Sequence, residues 1–276
     1  MNSLNCAGKI IDLSIPNVMG ILNVTPDSFS DGGKYTDLDS AVAQAEKMVR
    51  QGATMIDIGG ESTRPGAQPV SADDECRRVI PVIEALQKRQ CNAVITIDTS
   101  KPEVMKHAVE AGAGLINDVC ALQQENALSM AVSLGVPVCL MHMQGEPRTM
   151  QSEPQYENVV SDIILFFKKR IDDCTAAGLV KSNLLVDPGF GFGKTVEQNF
   201  VLLDHLDEFK KTGVPVLAGL SRKSMIGLVL DKPVEQRLAG SIAAASYALE
   251  RGVDILRVHD VAETVDAVKV FCAMKK

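Results

Sequence analysis

Tryptophan is absent from the chain, and aromatic residues make up only 4% of it. A surface that stacks the bases of a single-stranded nucleic acid therefore has little to be built from. No stretch of about 18 consecutive apolar residues occurs, so no segment reads as a membrane-spanning helix. The N-terminal segment lacks a basic region followed by an apolar run, so it does not read as a secretory signal. No C-x-x-C pair is present, and the seven cysteines are scattered and odd in number, at positions 6, 76, 91, 120, 139, 174 and 272. They read as small buried apolar residues in a reducing compartment, and the expected location is the cytoplasm. Basic residues are not in excess: 28 lysines and arginines stand against 35 acids, for a net charge of −7. That balance disfavours non-specific attraction to nucleic acid or an anionic membrane, while a local basic site for a small anion stays open.

What is present is a regular alternation over 276 residues, 46% of them hydrophobic and 23% charged. Short apolar runs fall at residues 18–23, 54–59, 94–98, 115–117, 137–141, 184–187, 214–218 and 254–258. They show no clean period of two, as expected of parallel strands covered on both faces. Amphipathic stretches separate them. Residues 41–51 carry Val42, Ala45 and Val49 on one face before Gly52, and residues 72–88 repeat Val79, Val82, Ile83 and Leu86. Residues 157–175 and the Ala-rich 235–251 also read as helices. Start signals stand at Ser71-x-x-Asp74, Ser100-Lys-Pro-Glu103, Thr195-x-x-Gln198 (a helix through Phe209) and Asp260-x-x-Glu263. Eight strands and eight helices in alternation fit either a closed (βα)8 TIM barrel or a doubly wound open sheet. The absence of any break in composition favours the barrel and a single domain over residues 1–276. Residues 1–17 would then form an N-terminal extension across the bottom of the barrel.

In such a barrel the chemistry belongs at the C-terminal ends of the strands. Those ends carry Asn23, Glu61 to Arg64, Asp98, Asn117, His142, Asp187, Ser221-Arg222-Lys223, and Arg257 with Val258 and His259. A carboxylate at the end of a buried run is costly without partners, so Asp98 and Asp187 point to a site. Asp98, Asn117 and Asp187 suit the N–H-rich edge of a flat amino-heterocycle. Arg64, Lys223, Arg257 and His259 suit an anion such as phosphate or diphosphate. The long polar loops 24–37 and 61–70 read as lids or binding loops. Asp57 would lie inside the barrel without an assignable role, His142 is undecided, and His107 and His205 read as surface or packing residues. The run Pro188-Gly-Phe-Gly-Phe-Gly-Lys-Thr195 is not a nucleotide loop. Pro188 replaces the first glycine of a Walker A motif, and Lys194 the third glycine of a dinucleotide motif. It reads instead as a loop bringing Phe192 over the mouth.

Several segments resemble the signatures of the dihydropteroate synthases, within the pterin-binding enzymes. They are Met19-Gly-Ile-Leu-Asn-Val-Thr-Pro-Asp-Ser-Phe-Ser-Asp-Gly-Gly33, Ile58-Gly-Gly-Glu-Ser-Thr-Arg-Pro-Gly66, Ile97-Asp-Thr-Ser-Lys-Pro102, Ile116-Asn-Asp118, Met141-His-Met143, Asp187 to Lys194, Ser221-Arg-Lys-Ser224 and Arg257-Val-His-Asp260. The resemblance implies a cytoplasmic (βα)8 barrel, usually a homodimer and the target of sulfonamides. Its members join 6-hydroxymethyl-7,8-dihydropterin diphosphate to 4-aminobenzoate with Mg2+, for folate synthesis. It implies that Asp98, Asn117, Asp187 and Lys223 hold the pterin, and that Arg257, Val258 and His259 hold the diphosphate. Asn23 would join them there and face the metal. Thr63 and Arg64 would close over the site, and Phe29, Pro65, Phe192 and Ser221 would help form the aminobenzoate pocket. Asp98, Lys223, Arg257 and His259 are the expected catalytic residues, and Cys120 has no assigned role. The pterin-binding domain of a methyltetrahydrofolate methyltransferase is the alternative, with a Schiff-base lyase using Lys223 and an inert pterin-binding scaffold further behind.

Overall fold

The computed structural model of the chain describes residues 3–25, 34–62, 67–145 and 154–275. Eight parallel strands form the ring that the apolar runs imply. They are β3 (Asn17–Asn23), β4 (Met55–Gly59), β5 (Val94–Asp98), β6 (Leu115–Asp118), β7 (Val138–Met141), β8 (Leu184–Asp187), β9 (Leu217–Ala218) and β10 (Ile255–Val258). Each pairs with its sequence neighbour, and β10 pairs with β3. A single parallel bridge, Val186 to Val216, closes β8 onto β9. The closed barrel, not the open sheet, is therefore the fold.

Strand β9 is shorter than its apolar run because Pro215 has no N–H to give to a ladder. Its carbonyl still accepts from Val186 N at 3.0 Å, and the Val216 N–H donates to the Asp254 side chain at 2.6 Å. A side chain thus substitutes for backbone pairing at the seam.

Helices α1 (Lys34–Arg50), α2 (Ala72–Lys88), α3 (Pro102–Glu110), α4 (Ala127–Leu134), α5 (Val159–Ala176), α6 (Val196–Asp204), α7 (Ser224–Leu230), α8 (Leu238–Glu250) and α9 (Val261–Met274) surround the ring. Two of the expected start signals form as read. Ser71 accepts from Asp74 N, and Thr195 with Gln198 makes a reciprocal capping box. Two do not. Helix α3 begins after Lys101 without a side-chain cap, because the Ser100 hydroxyl is used by buried Asp118. Asp260 precedes α9 but gives its carboxylate to the Arg222 guanidinium instead of the helix N–H groups. The helix expected through Phe209 ends at Asp204, and the chain continues as a 3-10 helix, Leu206–Thr212.

The interior divides into two apolar layers. Alternate strand residues such as Ile56, Ile58, Ile95, Ile97 and Leu140 face the helices. The opposite parity faces the barrel axis, where Met19, Met55, Val94, Leu115, Cys139, Leu185, Leu217 and Ile255 pack together, one from each strand. The N-terminal hairpin, β1 (Ser3–Cys6) and β2 (Lys9–Asp12), adds Leu4, Cys6 and Ile11 to this inner layer and so covers the bottom. Lys9 fastens it by donating to Cys91 O at 2.6 Å and Ala93 O at 2.8 Å. The plug thus seals one end of the barrel, leaving the polar inward residues for the other.

Leu4 is 1% exposed and Ile10, on the same hairpin, 63% exposed. Leu4→Ala is expected to cost about 3 kcal/mol in urea unfolding and Ile10→Ala under about 0.5 kcal/mol. Equal losses would show that the hairpin does not plug the barrel.

Candidate functional site

The inward parity that is apolar at the bottom becomes polar toward the C-terminal ends. On β4 it runs Met55, Asp57, Gly59; on β5, Val94, Thr96, Asp98; on β6, Leu115, Asn117; on β8, Leu185, Asp187; and on β10, Ile255, Arg257. Register brings Asp57 beside Thr96 and Asp98 beside Asn117. Five polar side chains from four strands, β4, β5, β6 and β10, consequently meet at two adjacent levels.

Asp57 is fully buried. Its Oδ1 accepts from the Thr96 hydroxyl, and its Oδ2 from Asn117 Nδ2 at 3.0 Å and from Arg257 Nε at 2.5 Å. The same guanidinium reaches Asp98 Oδ2 through Nη2 at 2.6 Å. Arg257 is thereby held between two carboxylates, one below the mouth and one at it. Burial would lower its pKa, but the charges of Asp57 and Asp98 outweigh burial and hold it above its usual value. Burial, opposed by Arg257 and aided by Asp57, pushes the Asp98 carboxyl up to about 7.

Across the mouth, Asp187 is buried, and its Oδ1 accepts from Gly189 N at 2.8 Å. Burial raises its pKa, against the backbone bond and the positive charge of Lys223. Burial in turn lowers Lys223 to about 8, opposed by Asp187. The Lys223 ammonium lies 4.3 Å from the centre of the Phe192 ring, so the glycine-rich loop does bring Phe192 to the mouth. His259 Nδ1 is 3.1 Å from the Ser221 hydroxyl, which also accepts the His259 N–H at 3.2 Å. Burial and the nearby Arg257 charge bring His259 down to about 4, so it is a neutral imidazole at pH 7. With Ser221 donating to Nδ1, the proton sits on Nε2, a neutral donor suited to an anion.

Asn23 ends β3 with an exposed side chain. A Cβ placed on Gly59 would lie 3.8 Å from Asn23 Oδ1 and 3.5 Å from the Asp98 Cβ, so Gly59 lies between these two side chains at the mouth. Val258 faces the other way, 4% exposed in the layer beneath the helices, so its backbone alone is available to the mouth. Phe29, Thr63, Arg64 and Pro65 lie outside the described residues. Glu61, just before the last three, accepts from Val70 N at 3.0 Å and from Lys101, which also binds buried Glu75.

Four roles went unread in the sequence. Asp57 and Thr96 lie within apolar runs, and the usable signal was parity: each stands two residues before a strand end, on the same face as Gly59 or Asp98. Lys194, taken only as a misfit in two nucleotide motifs, is 3% exposed and donates to the carbonyls of Phe192, Gly189 and His142 at 2.8, 2.9 and 3.2 Å. Burial lowers its pKa to about 7, yet three carbonyl acceptors require the three N–H donors of the ammonium. It shapes the loop that follows Asp187. His142, previously undecided, is buried beside Lys194 with its pKa brought down to about 3 by burial, and packs edge-on to Phe166 with ring centres 4.9 Å apart. His107 is near Cys76 on the exterior, away from the mouth.

A family model described as pterin binding enzyme matches residues 19–259. The dihydropteroate synthase of Haemophilus influenzae is 58% identical over 265 residues, covering 96% of each chain. The dihydropteroate synthase of Xanthomonas albilineans with 4-aminobenzoic acid superposes with a TM-score of 0.94 at 52% identity, over 99% of this chain and 98% of that one. The same organism's enzyme in complex with 7,8-dihydropteroate gives a TM-score of 0.90 at 50% identity, over 99% of this chain and 98% of that one.

Gly189 has φ +72°, and a Cβ there would come within 2.0 Å of His142 O; Gly135 has φ +66° and open space. Gly135→Ala is expected to cost about 1 kcal/mol from its backbone alone, and Gly189→Ala more than about 2 kcal/mol. Matching unfolding midpoints for the two variants would refute the close packing of the loop after Asp187.

Proposed function

The chain belongs to the dihydropteroate synthases of the pterin-binding enzyme family, and on that premise we propose how its ring of side chains carries the reaction. The enzyme joins 6-hydroxymethyl-7,8-dihydropterin diphosphate to 4-aminobenzoate and releases 7,8-dihydropteroate and diphosphate. The observation that carries the assignment of roles is the split of one ring into acceptors and cations bridged by Arg257.

Asp98, Asn117 and Asp187 read the N–H-rich edge of the pterin, with Lys223 on its carbonyl side. Buried charged acceptors are worth roughly 1.5–3 kcal/mol each, so this edge supplies both affinity and orientation. Arg257 and neutral His259 donate to the diphosphate, with Asn23 beside them. The bond between the pterin methylene and the diphosphate oxygen breaks with its electron pair leaving on oxygen. The methylene is left as a cation conjugated with the ring. The aniline nitrogen of 4-aminobenzoate forms the new C–N bond and loses a proton to the released diphosphate or to solvent. Asp98 and Asp187 favour the positive ring, while Arg257 and His259 favour the departing anion. Phe192, Ser221, Phe29 and Pro65 hold the aminobenzoate, and Thr63 and Arg64 complete the cover that keeps water from the cation.

Magnesium fits this arrangement through Asn23. The ion takes hard oxygen ligands and commonly one or two protein groups plus substrate phosphates. Among the described residues no group of three His, Cys, Asp or Glu could hold a metal by itself. The amide oxygen of Asn23 would hold the ion together with the diphosphate, where it would neutralise charge on the leaving group.

A homodimer is supported by the outer face of α6, α7 and α8. Phe200, Val201, Leu228, Val229, Leu230 and Tyr247 are 37–68% exposed there, around an apolar groove. A patch of that kind on a globular chain marks a contact surface. No helix among the described residues is long and apolar enough to cross a membrane.

Asp98 must be ionised to accept from the pterin, so kcat/KM is expected to rise with pH through about 7 and not through the usual carboxylate range. Asp98→Asn should lower kcat/KM by at least ~100-fold, about 2.7 kcal/mol, and abolish that limb. A loss under tenfold, or a limb that persists in the variant, would remove Asp98 from the pterin edge. Arg257→Ala is expected to weaken binding of free diphosphate; unchanged affinity would take Arg257 off the anion. Leu230→Glu should give a monomer in sedimentation if the α6–α8 face joins two copies, and an unaltered mass would place the dimer contact elsewhere.

A further inference from the structure

Asp57 is not among the residues that the family resemblance assigns to substrate, yet beneath the mouth it joins three other side chains of the ring. Its carboxylate is fully buried and takes three donors from three different strands. One is the Thr96 hydroxyl, which also lies 3.3 Å from Ile56 O. The second is one of the two N–H groups of Asn117, which fixes the amide's orientation and leaves its carbonyl oxygen and other N–H for a ligand. The third is Arg257 Nε, which turns the guanidinium so that Nη2 meets Asp98. Nη1 then has no hydrogen-bond partner among the described residues.

Neutralising a buried guanidinium would need only one carboxylate nearby, and Asp98 is already 2.6 Å from it. The bonds to Thr96 and Asn117 add nothing to neutralisation. They fix direction. We propose that Asp57 is the positioning residue that sets the pterin-reading amide of Asn117 and the anion-binding guanidinium of Arg257 in one register, so that both halves of the substrate are recognised from a single buried carboxylate. This rests on the assignment of the ring to pterin and diphosphate. It explains why a carboxylate costly to bury is placed where solvent does not reach it.

The like charge of Asp57 also helps hold Asp98 up near 7. The other charged groups acting on Asp98 are Arg257 and Lys223, which lower it, and Glu75 and Asp118, which raise it. Replacing Asp57 by the isosteric asparagine removes a like charge from beside Asp98, which favours the ionised form of Asp98, so the acid limb of kcat/KM should move to lower pH. That shift reports the lost charge; the positioning role is read from ligand binding, because a side chain serving stability alone would leave both affinities of a folded variant unchanged.

The test uses the full-length wild type, Asp57→Asn and Thr96→Val. Calorimetry measures 6-hydroxymethylpterin and inorganic diphosphate separately, alongside the pH profile of turnover. Wild type should bind both. Asp57→Asn is expected to weaken each by at least ~10-fold and shift the acid limb downward, because a mis-set amide and guanidinium each lose directed bonds. Thr96→Val, which removes only a support of Asp57, should weaken both in the same direction by about threefold. A folded Asp57→Asn that binds both ligands within threefold of wild type, or that loses only one of them, would overturn the proposal. If that variant does not fold, unchanged binding of both ligands by Thr96→Val overturns it instead. A wild type that binds neither ligand would contradict the ring assignment itself, a result distinct from failure of the Asp57 role.

Discussion

An arginine held inside a barrel between two carboxylates, one fully buried, is the constraint on which the upper half of this molecule depends. Taking those three charges out of water costs several kcal/mol per ion unless every one is paired. Pairing is achieved by strand register: β4, β5, β6 and β10 place Asp57, Thr96, Asp98, Asn117 and Arg257 on the axis-facing parity at adjacent levels. A slip of one residue in any of these strands would turn its polar group outward among the isoleucines beneath the helices. The fold and the site are therefore one specification, written in the parity of short strands.

The division of labour along the barrel follows from the same parity. At the bottom, eight inward apolar side chains and the N-terminal hairpin form an apolar plug. At the top the inward positions are carboxylate, amide, guanidinium and, from the following loops, ammonium and imidazole. Burial then moves pKa values in useful directions. It brings Asp98 up to about 7 and Lys223 down to about 8, and leaves His259 neutral at pH 7. Sites whose groups are displaced from their ordinary values by burial and by specific partners are those suited to stabilising separated charge.

Most of the barrel was legible from the sequence because each strand is a short apolar run with a helix after it. Asp98, Asn117 and Asp187 were legible because each ends such a run, where a polar group without a function would be costly. Asp57 and Thr96 were not, because a polar residue within a run gives no sign of which face it occupies until the register of its neighbours is known. The starts of α3 and α9 were misread for a related reason. Ser100 and Asp260 have the chemistry of caps, but Asp118 and Arg222 compete for their side chains through contacts remote in sequence. Helix α4 lacked a start signal altogether: it follows Asn126 in a left-handed conformation with no side-chain cap. Pro215 was in plain view and shortens β9, a consequence of its missing donor that the apolar run around it concealed.

The central claim is that one ring both reads a pterin and releases its diphosphate to an aniline nucleophile. The most direct measurement follows diphosphate and dihydropteroate together, with the purified protein, magnesium and the pterin diphosphate, in the presence and absence of 4-aminobenzoate. The account predicts that with 4-aminobenzoate the two products appear one for one. Pterin binding without diphosphate release, or release unmatched by dihydropteroate, would contradict it.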